Sequence, residues 1–234
     1  MEPLVRKNKR AANTPRQLIA QLNQRSPITE QYRTLRTNLQ FSAIDHPLDS
    51  ILVTSTNPSE GKSITVANLA IVYAQSGKKV LLIDADLRKP TVHYTFRLNN
   101  LRGLSNVLIG DNTLEESVSS ASIDNLDVMS SGPIPPNPAE LLGSKKMIAL
   151  LDHAKTLYDM VIIDSPPTLA VTDSQILSQI VDGTLLVVRS RQTEYEGAIK
   201  AVEALKKGKG RILGTVLNDT EKTTENAYYY YGAE

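Results

Sequence analysis

Residues 51–63 read ILVTSTNPSEGKS. A short apolar run opens this stretch, and Gly61, Lys62 and Ser63 close it, where a loop turns into a predicted helix. At such a turn, backbone N–H groups and the positive helix end bind phosphate oxygens, a lysine reaches the β- and γ-phosphates, and a serine hydroxyl ligates Mg²⁺. The stretch therefore predicts a phosphate-binding loop for a nucleoside triphosphate and Mg²⁺.

This loop departs from the usual pattern G-x-x-x-x-G-K-[ST] at one position, because Thr56 stands where the first glycine would be. A GKS triplet alone also occurs in surface turns. Its place between a strand and a helix favours the phosphate site. The residues expected to contact the nucleotide are Asn57, Pro58, Ser59, Glu60, Gly61, Lys62, Ser63 and Ile64.

Short apolar runs alternate with helical segments from Ser50 onward. Continuous apolar runs suit strands that are buried on both faces. The alternation predicts a doubly wound, mostly parallel α/β sheet of the P-loop NTPase fold, with helices on both faces and ligands at the carboxyl ends of the strands. The predicted strands are ILVTS, VLLIDAD, LDVMS, MVIID, TLLVV and RILGTVLN, and the predicted helices cover about residues 61–76, 138–156, 172–181 and 194–207.

Aspartates follow two of these strands. Asp84 and Asp86 end VLLIDAD, and Asp164 ends MVIID. Carboxylates at this sheet edge can hold Mg²⁺ directly or through its waters, and one can accept a proton from an attacking hydroxyl. A single aspartate after a strand is more often a helix cap or a turn residue, but three at the edge that carries the phosphate loop indicate a site.

Two other polar residues leave alternatives open. Asn218 ends the last predicted strand, and its amide could read the edge of a nucleotide base or simply form a turn. Arg88, two residues after Asp86, could neutralise phosphate charge or be solvated.

The composition is that of one globular domain, with 234 residues, 41% of them apolar and 22% charged. A net charge of +1 gives no global reason to bind nucleic acid. The absence of cysteine excludes disulfides and iron–sulfur ligation and suits a reducing compartment. No run approaches the roughly 18 to 20 apolar residues that span a bilayer, so a cytoplasmic protein is expected.

Three regions follow from these patterns. Residues 1–25 are basic and predict a mobile arm; residues 26–218 form the P-loop domain and begin with a helix over residues 26–42; residues 219–234 predict a flexible tail. That tail holds four of the nine tyrosines, Tyr228, Tyr229, Tyr230 and Tyr231.

The combination of TSTNPSEGKS, LLIDADLRKP, VIIDSPP and the terminal YYYY resembles the bacterial tyrosine kinases that govern capsule and exopolysaccharide assembly. The resemblance is to the Gram-positive form, a separate kinase chain, and spans about residues 26–234. It implies ATP and Mg²⁺ as cofactors and autophosphorylation of the tyrosine cluster. It also implies catalytic roles for Lys62, Asp84 and Asp86, with Asp84 as the base, and a metal site of Ser63, Asp86 and Asp164.

The same family carries an E-x-x-R-x-x-R signature for ring-like self-assembly, and Glu30, Arg33 and Arg36 match it. On residues alone, an intrahelical ion pair on a solvated face is the simpler reading. The resemblance further implies a transmembrane activator whose cytoplasmic tail contacts the kinase, a cognate phosphotyrosine phosphatase, and a peripheral location at the inner face of the plasma membrane.

Two other functions fit parts of the pattern. Chromosome-partitioning and division-site-placing ATPases share the wider fold, but their loop begins with a lysine where this chain has Asn57. A non-catalytic regulator that binds nucleotide and self-assembles is the second alternative. The retention of all three aspartates argues weakly against it.

Overall fold

A computed structural model describes residues 18–42, 47–208 and 210–221 of the chain. Within these ranges the backbone forms one seven-stranded sheet. The strands, in chain order, are β1 Ser50–Ser55, β2 Val80–Asp84, β3 Val118–Ile123, β4 Leu126–Met129, β5 Met160–Asp164, β6 Gly183–Arg189 and β7 Ile212–Asn218.

Helices occupy most of the connections between these strands. They are α1 Ile19–Leu22, α2 Pro27–Phe41, α3 Lys62–Ala74, α4 Val92–Phe96, α5 Leu104–Ile109, α6 Leu114–Ser117, α7 Pro138–Leu142, α8 Lys145–Leu157, α9 Asp173–Leu177 and α10 Tyr195–Lys207.

The strand order is β3-β4-β2-β5-β1-β6-β7, and every neighbouring pair is parallel except β3 with β4. The predicted mostly parallel, doubly wound sheet is therefore confirmed. Because β1, β2, β5 and β7 run in one direction, their carboxyl ends lie at the same edge of the sheet. β3 was not predicted from the sequence, because three of its six residues, VSSASI, are serine and it pairs only with β4 at the antiparallel edge.

Helices bury both faces of the central strands of the sheet. Ile51 and Val53 of β1 pack on one face against α2 and α3, and Leu52 packs on the other face with residues of α5, α7 and α8. All residues of β1, β2 and β5 are buried. This two-sided burial is why these strands read as continuous apolar runs.

One predicted helix is in fact two. The helix expected at 138–156 is interrupted at Gly143, where α7 ends, and at Ser144, whose hydroxyl accepts a hydrogen bond from the Met147 N–H at 3.3 Å and opens α8. The helix expected at 172–181 is shorter and covers Asp173–Leu177. The helix expected to start at Ser26 is present, since the Ser26 hydroxyl accepts the Ile28 N–H at 3.2 Å.

The prediction of a mobile arm over residues 1–25 is wrong for its last part. Ile19–Leu22 form α1, and the Ala20 N–H donates to Oδ1 of Asn68 in α3 at 2.9 Å. Nε2 of Gln75 donates to the Ala20 carbonyl at 2.8 Å. The small Ala20 side chain is fully buried, which lets the chain pack closely against the phosphate-loop helix. Residues 1–17 lie outside the described residues.

Candidate active site

The turn from β1 into α3 is built around Gly61. Its φ of +88° lies in the left-handed region, where glycine has no steric penalty. The first helical hydrogen bond of α3 runs from the Thr65 N–H to the Gly61 carbonyl at 3.0 Å. The N–H groups of Lys62, Ser63 and Ile64 precede it and have no intrahelical acceptor, so this helix end can bind phosphate oxygens.

Lys62 lies at the centre of the site. Its ammonium group contacts the Asp164 carboxylate at the end of β5 and donates to Oγ of Ser63 at 3.3 Å. The Lys62 side chain is 8% exposed and that of Asp164 is fully buried. The structure thus joins the phosphate-loop lysine to two of the three residues predicted to hold the metal.

Asp84 is the most constrained of the three aspartates. Its Oδ2 accepts the N–H groups of Thr91 at 3.0 Å and Val92 at 2.9 Å, and Oδ1 accepts that of Asp86 at 3.2 Å. It is paired in register with Asp164 on the neighbouring strand. Burial, reinforced by the nearby Asp164 charge, raises the pKa of Asp84 to about 7.

Asp86 lies two residues further on and is partly exposed. Its Oδ1 accepts the Lys89 N–H at 3.0 Å. Burial raises the pKa of this carboxyl, and the positive charge of Lys62 opposes that shift. Within the part of the chain that the structure describes, Asp86 makes no direct hydrogen bond to Ser63 or Asp164.

The side chains at this edge can be compared with the ligands that Mg²⁺ takes in proteins. Among the described residues no three or more His, Asp or Glu side chains form a group that could hold an ion by themselves. Yet Oδ2 of Asp164 is buried and has no hydrogen-bond partner in the described structure. Mg²⁺ takes one or two protein oxygens and completes its shell with phosphate and water, so Ser63 and this carboxylate oxygen fit it.

Asn218 does not stand free at the end of β7. Its Nδ2 donates to the Glu60 carbonyl at 3.0 Å, so the residue braces the phosphate loop. Glu60 is itself buried, and its carboxylate accepts the Asn57 N–H at 2.9 Å and the Thr193 hydroxyl at 2.6 Å. The Glu60 side chain therefore stabilises the conformation of the phosphate loop through these hydrogen bonds.

Two further residues stabilise this loop, one at the end of β6 and one in the segment that follows it, and neither was predicted from the sequence. Thr193 holds the Glu60 carboxylate, and Nη1 of Arg189 donates to the Ser59 carbonyl at 3.3 Å. Arg189 also binds Oδ2 of Asp219 at 2.8 and 2.9 Å. No local pattern marks either residue, because only the sheet topology brings β6 beside β1.

Arg88 has a structural partner. Its Nε and Nη2 donate to the two carboxylate oxygens of Asp173 at 2.9 and 3.0 Å, and Asp173 is fully buried at the start of α9. This bidentate pair joins the segment after β2 to α9.

The three residues of the predicted self-association motif divide into two groups. Glu30 and Arg33 form an ion pair within α2 and are about one-third exposed. Arg36 instead donates from Nη1 to the Val72 carbonyl in the last turn of α3 at 2.7 Å.

The predicted phosphorylation sites lie outside the described residues. They are Tyr228, Tyr229, Tyr230 and Tyr231.

In the ranges that the structure describes, no helix has the length and apolar character needed to cross a membrane.

Solved structures of known proteins resemble this fold. The structure of the septum site-determining protein MinD of Pyrococcus horikoshii with Mg-ADP aligns with this chain with a TM-score of 0.64 at 23% identity, covering 76% of this chain and 72% of that one. At this identity the likeness shows a shared fold alone.

Other known proteins are more similar to this chain in sequence and in structure. An AAA domain family model matches residues 48–214. Tyrosine-protein kinase YwqD of Bacillus subtilis is 51% identical over 98% of this chain and 97% of its own. The putative tyrosine-protein kinase CapB of Staphylococcus aureus is 41% identical over 90% and 92%. The kinase domain of the Escherichia coli tyrosine kinase ETK aligns with a TM-score of 0.86 at 34% identity, covering 92% of this chain and 85% of that one. The chain therefore belongs to the bacterial tyrosine-protein kinases.

Proposed function

We propose that this kinase transfers the γ-phosphoryl group of ATP to Tyr228–Tyr231 of its own C-terminal cluster and thereby regulates the polymerisation and export of capsular polysaccharide or exopolysaccharide. One observation carries the chemistry. The Lys62 ammonium at the first residue of α3 is held between Asp164 and Ser63, on the edge that also carries Asp84.

The phosphate loop supplies the positioning that phosphoryl transfer needs. The N–H groups at the start of α3 bind the phosphate oxygens, and Lys62 exchanges the Asp164 carboxylate for the β- and γ-phosphates when ATP binds. Positioning and charge neutralisation provide most of the rate acceleration in this reaction class. Ser63, Asp86 and Asp164 would hold Mg²⁺, which when bound neutralises charge on the phosphates.

Asp84 is assigned as the proton acceptor. Its pKa of about 7 allows it to be ionised at neutral pH and still basic enough to take a proton. Oδ1 accepts a single backbone N–H and so keeps a lone pair for the substrate hydroxyl. Because a tyrosine hydroxyl has a pKa of about 10, the proton moves to Asp84 late in the transfer.

The partners of this kinase belong to the same proposal. Glu30 and Arg33 present charged groups on α2 that a neighbouring copy can bind, in a ring or a smaller oligomer. A transmembrane activator would bring the kinase to the inner face of the membrane through its cytoplasmic tail. A phosphotyrosine phosphatase would return the tail to its unmodified state.

Intact-mass spectrometry tests the function. The purified chain is measured before and after incubation with Mg-ATP and the activator's cytoplasmic tail, and then after phosphatase treatment. Added phosphate groups should disappear in Lys62→Met and when Tyr228–Tyr231 are all changed to Phe. ATP turnover without any gain in mass would reject tail phosphorylation and favour an ATPase switch.

A further inference from the structure

Two consecutive backbone carbonyls of the phosphate loop accept hydrogen bonds from side chains at the ends of β6 and β7. Nη1 of Arg189 donates to the Ser59 carbonyl at 3.3 Å, and Nδ2 of Asn218 donates to the Glu60 carbonyl at 3.0 Å. Arg189 ends β6 and Asn218 ends β7, and the two residues are paired in register. Both donors therefore reach the loop from the same side.

These two contacts orient the N–H groups of Glu60 and Gly61. A trans peptide unit is planar, and its N–H points opposite to its C=O. Because the two carbonyls face Arg189 and Asn218, the N–H groups of Glu60 and Gly61 face away from them. Neither N–H has an acceptor in the described part of the chain. Both groups can therefore bind phosphate oxygens together with the start of α3.

The loop needs the contact with Arg189 to keep this conformation. Ser59 has a φ of +68°, in the left-handed region, which is unfavourable for a residue with a Cβ atom. Without a donor to hold the Ser59 carbonyl, the peptide unit between Ser59 and Glu60 can rotate and bring Ser59 to a more favourable φ. A loop that holds the binding conformation for only a fraction of the time binds ATP more weakly by that fraction.

Arg189 is itself held by the first residue beyond β7. Its Nε and Nη2 donate to Oδ2 of Asp219 at 2.9 and 2.8 Å. Its backbone N–H donates to Oγ1 of Thr193 at 2.8 Å, and the Thr193 hydroxyl donates to the buried Glu60 carboxylate at 2.6 Å. The third guanidinium nitrogen, Nη1, is the one that reaches Ser59. Because the guanidinium is planar, the Asp219 carboxylate fixes its plane and thereby the direction of Nη1.

We propose that Asp219 is a positioning residue for the ATP site and acts on the phosphate loop through Arg189, an inference that rests on the ATP binding of the proposed function. Asp219 is the first residue of the C-terminal segment that carries the tyrosine cluster. The base of this segment and the phosphate loop are therefore coupled. A rearrangement at residue 219 weakens ATP binding, and bound ATP in turn favours the contact between Asp219 and Arg189.

The direction of the expected effect separates this coupling from simple electrostatics. A carboxylate near a triphosphate repels it, so the loss of an acidic residue would by itself strengthen ATP binding. The proposal predicts weaker binding when Asp219 is lost, because the carboxylate acts by holding Arg189 in place. Glu221, two residues further on, provides the comparison. It contacts Arg191, whose side chain makes no hydrogen bond to the phosphate loop within the described residues.

Titration of the full chain with a fluorescent ATP analogue and Mg²⁺ tests the proposal, with the activator's cytoplasmic tail present. Asp219→Ala should weaken binding by about fivefold, the low end of coupling between sites, because the pair with Arg189 is partly exposed. Glu221→Ala removes the same charge from the same segment and should change the affinity by less than about twofold. In kinase assays, Asp219→Ala should raise the KM for ATP and leave kcat unchanged.

A double substitution shows whether Asp219 acts through Arg189. Arg189→Ala should weaken ATP binding at least as much as Asp219→Ala, because it removes the donor to the Ser59 carbonyl directly. In the Arg189→Ala background, Asp219→Ala should then change the affinity by less than about twofold, since its only route to the phosphate loop is already lost.

The two possible failures can be told apart. An unchanged or higher affinity in Asp219→Ala, a loss equal to that in Glu221→Ala, or a full additional loss in the Arg189→Ala background overturns the role given to Asp219. ATP binding and the proposed function stand in each of these cases. No saturable binding by the unsubstituted chain, with the activator tail present, overturns the proposed function and this inference with it.

Discussion

Nδ2 of Asn218 donates a 3.0 Å hydrogen bond to the backbone carbonyl of Glu60, which joins the end of β7 to the phosphate loop. The same amide fills the space beside Gly61, since a Cβ at Gly61 would lie 1.9 Å from it. Gly61 is therefore required both by its positive φ and by this close approach.

Gly61→Ala should abolish measurable binding of a fluorescent ATP analogue and lower the free energy of unfolding by about 2 to 4 kcal/mol, because a φ of +88° and the collision with Asn218 both oppose a side chain. Gly77→Ala is the matched control. Its φ is +84°, yet nothing lies within 4 Å of the added Cβ. It should lose about 1 kcal/mol and retain ATP binding. Equal effects of the two substitutions on ATP binding would contradict the role given to Asn218.

The sequence predicted the sheet well because burial on both faces leaves a direct pattern. β1, β2 and β5 are largely apolar runs; β1 leads into the phosphate loop, and β2 and β5 end in the site residues Asp84 and Asp164. β3 left no such pattern, because three of its six residues are serine and only Ala121 among them is buried. The break at Gly143 was also missed, although Gly143 and Ser144 are residue types typical of a helix end and a helix start.

The site was predictable only in part, for a different reason. Lys62, Ser63 and the three aspartates stand in local motifs at strand ends. Thr193 and Arg189 carry no local signal, because their roles arise when β6 is placed beside β1. The contact of Arg36 with Val72 is likewise a consequence of helix packing that a spacing of three along α2 cannot reveal.

The buried pair of Lys62 and Asp164 predicts an unusual stability pattern. Lys62→Met should lower the free energy of unfolding by about 3 kcal/mol at neutral pH, because it leaves the Asp164 carboxylate buried without its cation and close to Asp84. Adding Asp164→Asn should restore most of that stability, although the double variant remains inactive. Chemical denaturation measures both effects.

The partly exposed pair of Lys155 and Asp182 is the control for this measurement. Lys155→Met should lower stability by less than about 1 kcal/mol, since water and salt screen this pair. A loss in Lys62→Met no larger than that in Lys155→Met would show that the Asp164 charge is solvated when Lys62 is removed.

Substitutions of the two arginines of α2 should affect the free energy of unfolding and self-association differently. Arg36→Ala removes the hydrogen bond to the Val72 carbonyl and should lower the free energy of unfolding by about 1 to 2 kcal/mol. Arg33→Ala breaks only a partly exposed intrahelical pair, so its effect on stability should stay below about 0.5 kcal/mol. Under the proposed ring assembly, Arg33→Ala should nevertheless reduce the oligomer fraction measured by sedimentation velocity. A fully retained oligomer in Arg33→Ala would remove this residue from the interface.

The raised pKa of Asp84 sets the pH dependence of the kinase. Its value of about 7 in the nucleotide-free protein lies far above the ordinary value of 3.8, because burial and the Asp164 charge both disfavour ionisation. Only the ionised carboxylate can accept the tyrosine proton. kcat/KM should therefore rise about tenfold for each pH unit below about 7 and level off above it, since this ratio reports the free enzyme.

Tyrosine phosphorylation followed by mass spectrometry from pH 5.5 to 9 measures this profile at low concentrations of ATP and of a peptide of residues 219–234. An aspartate of ordinary pKa would instead give a flat profile throughout that range. The residual activity of Asp84→Asn supplies the control, because its profile should lose the acidic limb. If the limb persisted in Asp84→Asn, the titrating group would be the nucleotide or another side chain, and Asp84 would not be the proton acceptor.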